Sequence, residues 1–235
     1  ALNGKLSRSG VKAPSEEALV NTRRLYELIG KPLDFIPTVH VGGTNGKGTT
    51  SYKISQCAHL SGLKVGLFVS PHISCFRERV QVGHELISEE NVLEFLPQIL
   101  RLCVEHTIPA TMFEVTFLLA ALYFGKVGCD IVVIEVGVGG ELDATNVIKT
   151  ALSIICSVSL DHTRILGATV EEIATKKCGI FKKDVPALVG PNCPLEVLET
   201  IASERGATLY TTKSAAQKFG VEEPPTEVDG VMDPD

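Results

Sequence analysis

The chain lacks several features that would settle its class at once. No uninterrupted apolar stretch approaches the ~20 residues that span a bilayer, which argues against insertion in a membrane. None of the seven cysteines, Cys57, Cys75, Cys103, Cys129, Cys156, Cys178 and Cys193, forms a Cys-x-x-Cys pair. Set mostly among apolar neighbours, they point to reduced thiols in a cytoplasmic or mitochondrial-matrix setting, not to a disulfide framework or a zinc site. No charged-then-apolar leader opens the sequence, and there is no initiating Met, so the start reads as a processed end. There is no internal repeat. Nor is there a global basic field: the net charge of -6 is carried by Glu222, Glu223, Glu227, Asp229, Asp233 and Asp235 near the C-terminus, and without them the remainder is formally neutral. Nucleic acid is therefore not an expected partner, and any anionic ligand must be held by local groups.

What is present is an alternation. The segment 15–29 reads as a helix, with Ser15 as its N-cap and Gly30 as its stop. Strand-like runs at 38–41, 64–69, 130–136, 151–158, 186–189 and 207–210 interleave with helical stretches near 48–61, 89–104, 112–125, 169–178 and 195–205. This order predicts an α/β fold, a mostly parallel sheet flanked by helices. Thr169-Val170-Glu171-Glu172 is a capping box. Pro97 should kink or split the helix that contains it. Residues 77–85 alternate and turn at Gly83, so a small β-excursion is expected there. From Gly220 the chain is acidic and proline-containing and reads as a tail or linker, which leaves 1–219 as the folded unit.

The richest local signal is His40-Val41-Gly42-Gly43-Thr44-Asn45-Gly46-Lys47-Gly48-Thr49-Thr50, between a β-branched strand and what reads as an amphipathic helix. Glycines let backbone N–H groups close around an anion, Lys47 adds a point charge, and the helix N-terminus aims at the same spot. A mobile Gly-Asn-Gly surface turn is the plainer alternative. The pattern departs from the general phosphate-loop signature, with Val41 at the first glycine position and Gly48 where a hydroxyl is usual. In an open α/β sheet, ligands sit beyond the carboxyl ends of strands. That is where this loop, Ser70, Glu135 and Asp161-His162 all fall. A carboxylate at the end of the apolar run Asp130-Ile-Val-Val-Ile-Glu135 calls for a partner, either Mg²⁺ bridging nucleotide phosphates or a nearby lysine.

The Gly-Thr-Asn-Gly-Lys-Gly core resembles the loop of the Mur ligase superfamily, and its Lys-Gly-Thr ending resembles the folate branch, the dihydrofolate and folylpolyglutamate synthases. Asp161-His162-Thr163, Ile165-Leu166-Gly167, Glu171-Glu172-Ile173-Ala174 and Lys177-Cys178-Gly179-Ile180 fit the same pattern in order and spacing. The resemblance runs over roughly residues 18–211. It implies a P-loop NTPase-like Mur ligase central domain, incomplete here, with the C-terminal glutamate-binding domain lying outside this sequence.

The resemblance further implies that Gly43, Thr44, Asn45, Gly46, Lys47, Gly48, Thr49 and Thr50 bind ATP. Ser70, Glu135, His162 and Lys177, the last as a CO2-derived carbamate, would ligate Mg²⁺ at two sites, with Lys47, Glu135, His162 and Lys177 as the catalytic set. A carbamate is an anion on a long arm where a plain ammonium would repel the metal. Lys176, as a helix-end cation or as the modified lysine, is the adjacent alternative. Ser70 stands in for the hydroxyl that Gly48 lacks, or is simply a Ser-Pro turn. Thr111, Phe113, Asp143 and Ala144 would line a pterin pocket, although Phe113 is also a candidate for helix core. Arg79 reads as a strand salt-bridge partner, and Glu141 stands where arginine is frequent.

The resulting expectation is an ATP-dependent carbon–nitrogen ligase, acting as a monomer on small molecules. It would add glutamate to dihydropteroate or to a folate glutamate tail through an acyl phosphate, and the 235-residue chain alone would turn over poorly. A different Mur-type amino-acid ligase, expected to read Gly-Lys-Thr, and a non-catalytic nucleotide-binding domain are the alternatives.

Overall fold

The computed structural model describes residues 14–222; most of the acidic tail expected from Gly220 onward lies outside them. Helix α1 (Glu16–Leu28) leads into β1 (Thr38–Gly42), α2 (Lys47–Leu60) and β2 (Val65–Phe68), and the hairpin β3 (Val80–Val82) and β4 (Glu85–Leu86) follows. Next come α3 (Glu89–Glu105), α4 (Met112–Val127), β5 (Ile131–Glu135) and β6 (Leu152–Ser157). The chain continues through α5 (Thr163–Leu166), α6 (Val170–Lys177), β7 (Pro186–Asn192), α7 (Leu195–Arg205), β8 (Thr208–Thr211) and α8 (Thr212–Phe219). One eight-stranded sheet results, in the order β4-β3-β2-β5-β1-β6-β7-β8. It is parallel except for the β3 and β4 edge, which is the expected β-excursion, turning through Gly83 and His84 at positive φ.

Period-two alternation assigns the two faces. Val132 and Ile134 of β5 point into the larger cluster with Leu25, Phe95, Ile99, Phe117 and Phe124 from α1, α3 and α4. Val133, with Val39, Val41 and Ile154, points to the opposite face, where Ile54 and Ala58 of α2 pack. A third cluster joins Ile155 and Val189 to Ile173, Leu198 and Ala202. With helices on both faces the parallel strands are mostly apolar on both sides, Thr38 and His40 of β1 and Ser153 of β6 being buried polar exceptions.

Two local expectations change, and one helix is added. Helix α2 is not amphipathic: its fully buried positions are Ser51 and Ser55, whose small size brings the helix close to the sheet. Pro97 does not split α3. It stands on the exposed side while Phe95 and Ile99 are buried, so the carbonyl it frees, that of Leu93, faces water and the apolar face holds the helix together. Helix α8, between 210 and the tail, is not among the expected helical stretches, although its eight residues are amphipathic. It is fixed by a Thr211–Ser214 cap and ended by Gly220 at φ 65°.

The β6–β7 pairing carries a bulge. Between the pairs Ile155–Val189 and Ser157–Asn192, Cys156 faces two residues, Gly190 and Pro191. Proline lacks the ladder donor and suits that position. A Cβ on Gly190 would lie 2.1 Å from the Cys156 carbonyl oxygen, so only glycine fits. The distortion sets where Ser157 emerges at the carboxyl edge. Gly190→Ala should destabilise the fold by about 1–3 kcal/mol in denaturant melts, while Gly62→Ala, where nothing stands within 4 Å but φ is 87°, separates packing from backbone strain.

Candidate active site

The loop after β1 is tied to the end of β6. Thr44 N–H donates to the Ser157 carbonyl at 2.8 Å, Asn45 N–H to Ser157 Oγ at 3.0 Å, and Ser159 N–H to Thr44 Oγ1 at 3.1 Å. Gly43 has φ 141°, and a Cβ there would come within 3.1 Å of Cys156 and the Ser157 nitrogen. Gly46, at φ 82°, is the N-cap of α2 and has no side chain to cap it. Among the described residues the N–H groups of Lys47, Gly48 and Thr49 therefore keep no acceptor, at the positive end of the dipole. Lys47 folds back to donate to the Thr44 carbonyl at 3.0 Å. This is an ordered loop, not a loose surface turn.

Glu135 ends β5 directly beside it, because β1 and β5 pair with Val41 opposite Glu135. The carboxylate is 4% exposed, and a Cβ at Gly48 would lie 3.6 Å from both of its oxygens. Burial pushes its pKa up, while the Ser70 N–H, Lys47 and Arg79 pull it down. Oε2 accepts from Ser70 N–H at 2.8 Å, so the turn after β2 is fastened to this carboxylate. Arg79 is not a strand salt-bridge partner: its Nε donates to His72 Nδ1 at 2.8 Å from a short 3-10 turn, Phe76–Arg79.

The structure separates the two lysines. Lys177 is 2% exposed and donates to the Gly43 carbonyl at 2.9 Å, under the loop. Burial first, then Lys47, lowers its pKa to about 8, against an opposing pull from Asp161. Lys176 is half-exposed and pairs with Glu141 at 3.1 Å. Glu141 also takes Arg205 at 3.2 Å, so it clamps the end of α6 to α7.

His162 stands at the head of α5 with φ 48°, beside its neighbour Asp161, whose Oδ2 lies 3.6 Å from Nε2. It makes no hydrogen bond to Glu135 or Lys177. No three His, Cys, Asp or Glu side chains converge as metal ligands among the described residues.

Thr111 caps α4 through a capping box with Glu114, and Phe113 packs on Phe68 and over Gly137, where a Cβ would meet its ring at 2.6 Å. Asp143 lies against the same Gly137 and Ala144 is buried, so all four expected pocket residues fall in one neighbourhood. Asp143 is heavily committed, however. It accepts from Val138 N–H at 2.9 Å, Thr145 N–H at 3.0 Å and the Thr145 hydroxyl. Asn146, which sequence reasoning passed over, bonds the Glu141 and Gly179 carbonyls through Nδ2. Its only cue was its place after Asp143.

A glycine-rich loop at a helix N-terminus, at the carboxyl edge of a doubly wound sheet and flanked by a buried carboxylate, is the arrangement of a phosphate-loop α/β domain. The profile of the Mur ligase middle domain matches residues 41–221, and the chain belongs to that family. It is 39% identical over 197 residues to the dihydrofolate synthase/folylpolyglutamate synthase of Escherichia coli, a match covering 82% of this chain and 43% of that protein. An FPGS-AMPPCP-folate complex superposes with a TM-score of 0.80 at 34% identity, over 86% of this chain and 51% of that one. E. coli FolC in complex with DHPP and ADP gives 0.78 at 34% identity, over 88% and 48%. The chain spans about half the length of these relatives.

One buried group outside the cradle ties stability to pH. His40, fully buried in β1, has Nε2 2.8 Å from Thr145 Oγ1. The Thr145 proton goes to Asp143, so the imidazole donates from Nε2 and leaves Nδ1 without a partner. Burial, then Lys182, lowers its pKa from 6.5 to about 3. Between those values the unfolded chain binds a proton that the folded one refuses, so stability falls as pH drops below 6.5. Denaturant melts should lose about 1.4 kcal/mol per pH unit from this group, and His40→Asn should flatten that limb.

Proposed function

We propose that this chain is the ATP-binding part of an amide ligase that joins glutamate to dihydropteroate or to a folate glutamate tail. The observation that carries the reading is the buried Glu135 carboxylate beside the anion cradle, with Lys177 on the loop's other side. The printed names of the relatives supply the substrate class.

The residues suit magnesium. Among the described residues Glu135 Oε1 takes no hydrogen bond while Oε2 takes the Ser70 N–H, and a buried carboxylate is stabilised by a cation. Ser70 and Glu135, with His162 and a carbamate on Lys177, would hold the ions, which when bound neutralise phosphate charge during transfer. Lys177 suits carbamate formation because CO2 adds to a neutral amine, and burial brings that amine within reach of neutral pH.

The chain's own residues then have defined work. The loop Gly43–Thr50, through the first-turn N–H groups of α2 that it presents, and the Lys47 ammonium bind the triphosphate and take up charge as the γ-phosphoryl group moves to the acceptor carboxylate. ADP leaves, the glutamate amino group attacks the acyl phosphate, and phosphate and a proton depart. Thr111, Phe113, Asp143 and Ala144 border the pterin, with Phe113 as its apolar face. Asp143 acts mainly by bracing that wall, given its hydrogen bonds. The natural chain would supply the glutamate-binding domain, and seven free thiols suit the reducing cytoplasm.

The chain extended through its natural C-terminus, given MgATP, glutamate, dihydropteroate and tetrahydrofolate, should yield glutamate-extended products by mass spectrometry. No product from either acceptor, despite nucleotide binding, overturns the substrate class. With ¹³C-bicarbonate, a carbamate carbon resonance should grow as pH rises through about 8 and vanish in Lys177→Arg but not in Lys176→Arg.

A further inference from the structure

At the opposite edge of the sheet, beneath the amino ends of β1, β6 and β7, a cavity of about 520 Å³ opens between α1 and the segments 146–150 and 182–185. That volume is within the range of small-molecule sites. Its wall carries five cations, Arg23, Lys31, Lys149, Lys182 and Lys183, against two acids, Glu27 and Asp34. Both acids are already used: Lys31 pairs with Glu27 at 3.2 Å and Lys149 with Asp34 at 3.2 Å. Arg23, Lys182 and Lys183 remain without an acidic partner among the described residues.

Lys182 is the decisive group. It is half-buried, and among the described residues its Nζ reaches only neutral acceptors, Asn146 Oδ1 at 2.6 Å and the Asn146 carbonyl at 3.4 Å. An ammonium has three donors, so one is left over. Burial and the neighbouring Arg23 and Arg205 lower its pKa to about 8, which marks an uncompensated positive field. In the same wall the Thr150 hydroxyl oxygen is buried with no hydrogen-bond partner among the described residues. Burying polar groups without partners is unfavourable, and a set of spare donors is satisfied by an acceptor carrying negative charge.

We infer that this cavity is a binding site for a small oxyanion, a phosphate or carboxylate group, held by Arg23, Lys182 and Thr150 and separate from the phosphate loop. The wall is mixed, since Tyr26, Val147 and Ile148 lie beside the cations, so the ligand would pair its anionic group with a modest apolar body. The site stands independently of the ligase reading, because none of its residues is assigned to the reaction.

The test is a ¹H–¹⁵N titration of the 235-residue chain with inorganic phosphate and, separately, with glutarate. Shifts in the amides of Val147, Ile148, Lys149 and Thr150, with a Kd weakened at least tenfold in Arg23→Gln and in Lys182→Met, support the site. The tighter of the two probes identifies the phosphate or carboxylate source. Shifts confined to residues 43–50 in both titrations, or equal Kd values in wild type and both variants, overturn it. The ¹⁵N spectrum itself reports whether each variant folds, and Arg23, exposed on α1, is replaceable without disturbing the core.

Discussion

The arrangement depends on one charged carboxylate held out of water at the end of β5. Parallel pairing with β1 puts Glu135 level with the phosphate loop, and burial raises the cost of its charge. The surroundings answer that cost with a backbone N–H from Ser70 and the fields of Lys47 and Arg79. Other features of the carboxyl edge fit around this placement. Gly48 leaves room against the carboxylate, the β7 bulge fixes where Ser157 meets the loop, and α6 ends so that Lys177 supports Gly43 from below.

Much of this was legible because it is written in local signals. Alternating apolar runs set the strands within one or two residues, except β7, which runs on to Asn192 through a bulge that the Gly190-Pro191 pair alone hinted at. Capping residues Ser15 and Thr169 set their helices, and the glycines of the loop marked the tight turn into α2. The choice between Lys176 and Lys177 was not fixed by local chemistry, since adjacent lysines differ only in which side of α6 meets the loop. Pro97 misled because its penalty depends on whether the freed carbonyl is wet. The commitments of Asp143, the Arg79–His72 contact and the bridging role of Asn146 are long-range or turn-specific, and no spacing rule reveals them.

The two edges of the sheet are chemically distinct yet connected. At the carboxyl edge, glycine-rich backbone and a carboxylate face each other; at the amino edge, cations exceed acids around a cavity. Asn146 bridges them, taking Lys182 on one side and holding the Glu141 and Gly179 carbonyls on the other, next to the end of α6. His40, buried between the clusters and bound to Thr145, lies along the same path. The polar interior is thus concentrated in a narrow band, where replacing one member leaves another without a partner.

The most direct test of the central carboxylate is calorimetric binding of a nonhydrolysable ATP analogue, with and without magnesium, to wild type and to Glu135→Gln. The amide keeps an acceptor for the Ser70 N–H and removes only the charge, so the fold should hold. If Glu135 bridges to the nucleotide through a metal, magnesium should tighten binding at least tenfold in wild type and have little effect in the variant. Equal magnesium enhancement in both proteins would contradict that role and leave Glu135 as a structural anchor for the turn at Ser70.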